Sequence, residues 1–544
     1  MNARRVGLLV TLAGVWLGVP SPAAAQSQSP PVIDTVVVIR ERVFPGEQAE
    51  LSFIQRMMNK LHVTTQPWVI NNELLFHTGQ PLDSAALAES ERILRAKQIF
   101  KEVDVDTARV DGRLAAVVTT QDGWSTKPNM KFSVATDGTW TGRFGITESN
   151  LIGTGNLAHA AWVKETDRTG PELISRFQRF FGTQLEAAGS VNFWDDGTDG
   201  FWRFGDPWRA NTDRVHAMYD GEASSRRVLQ YRVEDFNAPD TTFYYRNAGI
   251  HYFTAATAAT ASSHHYLRIG AKVGYRSEIF TSLADTGVAI PDTTYGELSV
   301  FGEYRKTEYH SVRYFNGFTP EDVDVSKRVK LTLNVASSAL GYERTGIGPR
   351  LEASAGNVWG RVLAVATLKA NGLFTDAGLD SGRVVVEATV AAHPWNRHST
   401  TLYVTAGAQD NPPPGEEFDL GFSMPPRSWQ AHSYVGTRMF WGTLEHRWYA
   451  IDALAGFFAM GFAAFVDYGG AWYPDQQRRF GGNVGIGLRS GSAISTSGRT
   501  GRIDIGCRFG DGSEFGKRCV LTLGAGFVFP WNPDINKLLT KTKH

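Results

Sequence analysis

Residues 519–529 read Cys519-Val520-Leu521-Thr522-Leu523-Gly524-Ala525-Gly526-Phe527-Val528-Phe529. Leu521, Leu523, Ala525, Phe527 and Phe529 share one parity; Val520, Thr522, Gly524, Gly526 and Val528 share the other. Successive side chains of a strand point to opposite faces. The stretch therefore predicts a strand with one apolar face and one face of mostly small residues. Upstream segments repeat the pattern: Ile503, Ile505, Cys507 and Phe509 within 502–509, Val484, Ile486 and Leu488 within 483–489, and Leu402, Val404, Ala406 and Ala408 within 400–409. A soluble sandwich also alternates, but its strands run nearer about 5–6 residues. Strands of about 10 residues ending in aromatics fit a transmembrane barrel, apolar outward and polar inward.

Composition agrees. The chain has 544 residues, with 55 Lys+Arg against 55 Asp+Glu, so it offers no net basic surface for nucleic acid. Its 56 glycines, with 32 Phe, 15 Trp and 17 Tyr, are more than an average domain carries, and small inward residues relieve crowding in a barrel lumen. A mean hydropathy of −0.23 excludes a bundle of apolar spanning helices but not a barrel, whose alternation averages near neutral. From Lys127 onward no helical periodicity appears. Marking alternating segments from Asn129 to Phe529 gives roughly 18 or 19 candidates, some of which, such as 226–233, read as hairpins in external loops. Sixteen membrane strands are preferred, with eighteen left open.

The N-terminal part differs. Arg4-Arg5, the apolar run Gly7 to Val19 and Ala23-Ala24-Ala25 read as a signal peptide over 1–25, too short for a span. Residues 26–31 read as a linker. Residues 32–122 predict a small α+β domain of order β-α-α-β-β. A valine-rich strand covers 32–43, and helical spacing follows in 49–62 and 82–98, the second capped by Asp83 or Ser84. Two strands, 100–110 and 113–121, then turn at Asp111-Gly112. The barrel is expected over 127–529, followed by a periplasmic tail, 530–544.

In this order, four stretches carry a resemblance. Ile70-Asn71-Asn72-Glu73-Leu74-Leu75-Phe76, Gly79 and Glu89 to Arg95 lie in the first domain. Glu148-Ser149-Asn150-Leu151-Ile152-Gly153-Thr154-Gly155 follows it. Phe465-Val466-Asp467-Tyr468-Gly469-Gly470, then Gly485 to Arg489, lie near the end. The mature chain resembles the BamA/TamA-like superfamily of Gram-negative outer membranes, also called the bacterial surface antigen family. The resemblance implies one periplasmic POTRA domain, a 16-stranded barrel, and an external loop whose arginine reaches into the lumen. The matching loop residues are Pro426-Arg427-Ser428-Trp429, with serine where the family has glycine and Arg438 as a competitor. By period-2 counting, Asp467 shares a face with Phe465 and Gly469. Glu445 and Arg447 oppose Leu444 and Trp448, so these charges should face the lumen, away from lipid. An Arg427–Asp467 or Arg427–Glu445 lock is expected, with Trp429 beside it; a planar guanidinium suits bidentate pairing. The alternative is ordinary lumen charge, solvated by pore water.

Cys507 and Cys519, the only cysteines, are equidistant from Ser513 and form a candidate disulfide across the last hairpin. No nucleophile elbow, zinc helix or phosphate loop occurs. His264-His265 reads as strand, where neighbours diverge, and makes a poor metal pair. No enzyme activity, metal or cofactor is expected.

The resemblance implies a barrel assisting insertion or translocation of other polypeptides. Its POTRA domain would dock extended clients by β-augmentation, and its first and last strands would part to expose a template edge. The seam strands are placed at 129–137, with Met130, Phe132 and Val134 lipid-side, and at 519–529, with Leu521 and Phe527 outward and Gly524 and Gly526 inward. Those two glycines weaken the seam or only make lumen room; a disulfide between positions 131 and 522 is the test of opening. Expected partners are outer-membrane lipids, unfolded clients and periplasmic accessory proteins. A passive or substrate-selective pore, or a lipid-handling or adhesion protein, are the rival functions. The family's barrels end on an aromatic residue, whereas here fifteen residues follow Phe529.

Overall fold

The computed structural model describes residues 31–47, 50–134, 140–165, 167–232, 240–282, 292–412, 415–421, 426–429, 432–454, 457–492, 500–511, 513 and 518–529. The signal peptide, all but one residue of the linker, and the tail lie outside these.

The chain opens with β1 (Thr35–Glu41), α1 (Phe53–Leu61), α2 (Pro67–Asn71), α3 (Ser84–Ala96), β2 (Phe100–Val110) and β3 (Arg113–Asp122). The short α2, started by a proline at its first turn, is an addition to the expected order. Ser52 and Gln55 form a capping box on α1, and Asp83 caps α3. Asp111 and Gly112 both take positive φ, which a two-residue hairpin turn requires. The sheet runs β1-β3-β2, parallel between β1 and β3. Its core is Ile33, Val69, Ile70, Phe76, Leu94 and Ile99.

A closed antiparallel barrel follows. Its first wall is β4 (Thr126–Val134), β5 (Trp140–Glu148), β6 (Leu157–Lys164), β7 (Thr169–Phe177), β8 (Glu186–Trp194) and β9 (Gly197–Asp206). The next strands are longer: β10 (Val215–Arg232), β11 (Asp240–Ala261), β12 (His265–Ser282) and β13 (Thr293–Lys306). After β13 a side hairpin, β14 (Tyr309–Val312) with β15 (Glu321–Asp324), leaves the wall. The wall resumes with β16 (Lys327–Ala336), β17 (Gly346–Trp359), β18 (Val362–Thr375), β19 (Gly378–Ala392) and β20 (His398–Asp410). A second side hairpin, β21 (Phe418–Leu420) with β22 (Tyr434–Gly436), precedes the last wall strands. These are β23 (Arg438–Leu454), β24 (Phe458–Trp472), β25 (Gly481–Ser492), β26 (Gly501–Gly510) and β27 (Cys519–Ala525).

Twenty strands close the barrel among the described residues, which corrects the expected sixteen or eighteen. Residues 226–233 show why. Read as an external hairpin, they mostly continue β10, which pairs with β11 through Arg232. Alternation marks a strand but not its end, and β11 alone has 22 residues. At about 3.3 Å per residue such a strand outruns an apolar band of about 25 Å. The outward face is apolar along the wall, with Phe144, Ile146, Trp162, Val484, Ile486 and Ile505 all exposed. An apolar surface this continuous requires lipid rather than water.

The N-terminal domain sits across one mouth of the barrel. Gln66 N donates to Gly153 O at 2.8 Å, Arg179 Nε to Glu73 Oε1 at 3.0 Å, and Arg95 Nε to Asp322 Oδ2 at 2.9 Å. Phe44 meets Phe457 edge-on at 6.1 Å. These contacts touch the β5–β6, β7–β8 and β23–β24 turns and the β14–β15 hairpin, on widely separated parts of the rim.

Candidate functional site: a loop held in the lumen

Four adjacent strands supply the site. Register places Thr443 of β23 beside Asp467 of β24, Asp467 beside Asn483 of β25, and Asn483 beside Arg508 of β26. The next row is Glu445, Phe465, Gly485 and Gly506; the one after is Arg447, Ala463, Gly487 and Asp504. Every second residue faces inward, so these rows form a lattice on the lumen wall. Glycines leave a slot in it. A Cβ at Gly506 would strike the Ser428 hydroxyl, and one at Gly481 would strike the Trp429 ring and the Tyr434 hydroxyl.

Into that slot descends the loop between β20 and β23. Arg427 Nε donates to Asp467 Oδ2 at 2.8 Å and Nη2 to Asp467 Oδ1 at 3.0 Å, a bidentate pair. Its Nη1 donates to Asp504 Oδ2 at 2.9 Å, and Nη2 reaches Glu445 Oε2 at 3.2 Å. The guanidinium lies 3.6 Å above the Phe465 ring centre, a cation–π contact made without competing water. Trp429 Nε1 donates to Gly482 O at 3.1 Å. Arg427 and Trp429 are buried, as are the three carboxylates. Arg438 lies instead against Gln409 and Thr437, outside the cluster.

The carboxylates are shared. Glu445 Oε1 accepts from Arg447 Nε at 2.6 Å and Arg489 Nη2 at 2.8 Å; Asp504 Oδ1 accepts from Arg489 Nη1 at 2.6 Å. Arg502 Nε lies 3.2 Å from Asp504 Oδ2. Asn483 Nδ2 donates to Asp467 at 3.0 Å. Both sequence alternatives for Arg427 therefore exist together, and Asp504 and Arg489 join them. Neither was found from sequence. Arg489 closes the Gly485 to Arg489 stretch that carries the resemblance, but without a role there; for Asp504 the signal was parity alone, since it alternates with Ile503 and Ile505 as any lumen charge would.

Arg447 extends the cluster toward the other mouth. Its Nη1 donates to Asn316 O at 3.0 Å, in the β14–β15 hairpin, and its Nη2 to Gly526 O at 3.2 Å. Its guanidinium lies 3.8 Å over Phe527. Here the structure corrects the seam. β27 ends at Ala525, Gly526 turns the chain at φ 70°, and Phe527 and Phe529 are buried inside rather than facing lipid. Phe529 stacks on Tyr403 at 4.5 Å, and Phe527 meets Phe315 at 5.3 Å. The aromatics kept the strand's parity, so alternation could not reveal the turn.

Leu521 is exposed, and Phe132 is half-buried against Trp140 and Phe144. The side chain of Val134 lies outside the described residues; its backbone pairs with Trp140. Gly524 faces the Arg502 guanidinium, where a Cβ would stand 2.7 Å from Nη2, so this glycine makes lumen room. Gly469 does the same for Trp441, its register partner. Register at the seam pairs Thr522 with Ser133 and Leu523 with Phe132, which replaces the 131–522 pairing anticipated from sequence. Cys507 and Cys519 are register partners and are joined by a disulfide.

No protein-family model matches the chain, and no curated protein matches it in sequence. Among solved structures it is similar to CdiB from Escherichia coli, at 10% identity over 93% of this chain and 92% of that one, with a TM-score of 0.45. It is also similar to CdiB from Acinetobacter baumannii, at 11% identity over 92% and 74%, TM-score 0.44. BamA from Haemophilus ducreyi lacking POTRA domains 1-3 follows at 10% identity over 90% and 84%, TM-score 0.39.

Proposed function

We propose that this chain is an outer-membrane barrel that assists other polypeptides to insert into or cross that membrane, by opening between β4 and β27. The observation that carries the reading is the closing seam. Among the described residues it has two register pairs, whereas β7–β8 has six, β26–β27 seven and β4–β5 nine. A backbone hydrogen bond contributes about 0.5–1.5 kcal/mol net, so this joint separates before any other. A strand edge that carries few ladder bonds is a place where further strands add. The N-terminal domain serves as the POTRA domain. Its β1 and β2 are sheet edges where an extended client can add, on the periplasmic side.

The lumen contents weigh against a passive pore. Arg427, Trp429, Phe315, Phe527 and Phe529 are packed inside it, and the N-terminal domain spans one mouth. In the assigned role Arg427 holds the external loop as a strut while the seam works.

The test is reconstitution in liposomes with an unfolded client barrel, with conductance recorded on the same samples. Faster client folding is expected from the parent chain and its loss from Ser133→Cys/Thr522→Cys when oxidised, with recovery on reduction. The same double variant under reducing conditions controls for the substitutions. Acceleration that survives a verified cross-link excludes lateral opening, and steady conductance without acceleration selects the pore.

A further inference from the structure

Helix α1 is amphipathic the wrong way round for a soluble domain. At about 100° per residue, Phe53, Ile54, Met57 and Leu61 share one arc of about 100°. That arc faces away from the domain, with Phe53 72% and Leu61 66% exposed. The side that packs inward carries Gln55, Met58 and Asn59. Asn59 is buried, accepting from Phe44 N at 3.1 Å and donating to Phe44 O at 2.9 Å. Just past the helix, His62 Nε2 lies 2.9 Å from Asp122 Oδ2. The helix is therefore fixed in place with its apolar arc outward.

What covers the arc is indicated by its surroundings. After α1 the chain presses against the β5–β6 turn: a Cβ on Gly153 would stand 2.6 Å from Thr64 O and 3.2 Å from Val63 Cγ1. That turn carries exposed Leu151 and Ile152, and β5 carries exposed Ile146 just above them. Val63 itself is exposed. The apolar arc thus continues, through Val63, Ile152 and Ile146, into the lipid-facing belt of the barrel. Basic residues border it on one side, Arg56 and Lys60, one turn apart. We propose that α1 lies in the near leaflet of the bilayer as an interfacial helix, binding phospholipid through this arc and anchoring the N-terminal domain beside the first strands of the barrel.

The inference rests on the barrel spanning a membrane, and the experiment separates the two. The full chain, with Cys507 and Cys519 changed to Ala, is spin-labelled at Met57→Cys or at Ile146→Cys. It is placed in nanodiscs of phosphatidylethanolamine and phosphatidylglycerol. Collisions with oxygen, which concentrates in lipid, and with a water-soluble nickel chelate are compared. Both positions are exposed or at the surface, so labelling leaves the core alone. The expected result is oxygen access and chelate shielding at position 57 matching those at 146. Chelate access at 57 with shielding at 146 overturns the proposal and leaves the barrel reading standing. Shielding at 57 only after an unfolded polypeptide is added also overturns it, making the arc a client surface. Chelate access at both positions removes the membrane reading, and the proposal with it.

Discussion

Arg427 comes to its three carboxylates from a loop, whereas Arg447, Arg489 and Arg502 come from the wall. Removing one partner of a buried ion pair costs about 3–5 kcal/mol, because the other charge is left uncompensated. Arg427→Ala should therefore lower the unfolding free energy in detergent by that order and free the loop to protease. Arg427→Lys should rescue little, since an ammonium cannot pair bidentately. The reciprocal swap Arg427→Asp with Asp467→Arg should also fail to restore stability. The new Asp at 427 would face Glu445 and Asp504, which still accept from the wall arginines. Restored stability in the swap would mean that the Asp467 pair alone holds the loop. Gly481→Ala tests the slot without touching charge. Its methyl would meet the Trp429 ring and Tyr434 hydroxyl, so a loss of about 1–3 kcal/mol is expected, measured by the same unfolding. That Arg427 and Asp467 meet was legible because the resemblance noted in the sequence pointed to each. Asp504 was not, because a lumen carboxylate has no spacing that distinguishes a partner from a solvated charge.

Among the elements, the last hairpin matters most. The Cys507–Cys519 disulfide closes a loop of sequence separation 12 at the far end of β27 from Gly526. Short loops of this kind stabilise by about 2–4 kcal/mol. Reduction should accordingly speed amide hydrogen exchange in β27 more than in β25 or β26, because among the described residues β27 is held on its other side by two register pairs. Equal protection before and after reduction would show that the lumen contacts of Phe527 and Phe529 suffice. The strand itself was readable from 519 to 525, where Leu521 and Leu523 alternate with Val520, Thr522 and Gly524. Its end was not, since Phe527 and Phe529 hold the same parity while Gly526 turns them into the lumen. Helix α1 gave the reverse lesson: its spacing identified a helix, but the direction of its apolar arc was set by Asn59 and Phe44 across the domain.

For the whole molecule, contacts run from one mouth to the other. Arg427 meets Glu445, Glu445 meets Arg447, and Arg447 holds both the β14–β15 hairpin and Gly526 beside the seam; Asp322 of that hairpin meets Arg95 of the N-terminal domain. Docking of that domain also depends on Glu73. Burial alone would raise its carboxyl pKa, but Lys97 at 2.9 Å and Arg179 at 3.0 Å outweigh it and hold it below its ordinary value. A depressed carboxyl contributes stability above its unfolded pKa of about 4 and loses it as pH falls through the folded value. Docking should thus weaken below about pH 4 and hold above it. Pulsed-EPR distances between labels at Arg109→Cys and Arg361→Cys should broaden in that acid window. Glu73→Gln should broaden them at neutral pH already. A distribution unchanged at all pH values would place the docking energy in the other rim contacts.

The division between sequence and tertiary structure follows from range. Which face of each strand meets lipid was determined by residues two apart, because a bilayer tolerates apolar side chains and rejects Glu445, Arg447 and Asp467. The α+β start, its helix caps and the Asp111-Gly112 turn were likewise local, since caps and turns depend on neighbours a few residues away. Strand number, seam length and the lumen cluster were decided only in three dimensions. Each depends on register between segments far apart in the chain, as when Phe132 meets Leu523 or Arg427 meets Asp504, and no local period encodes that register.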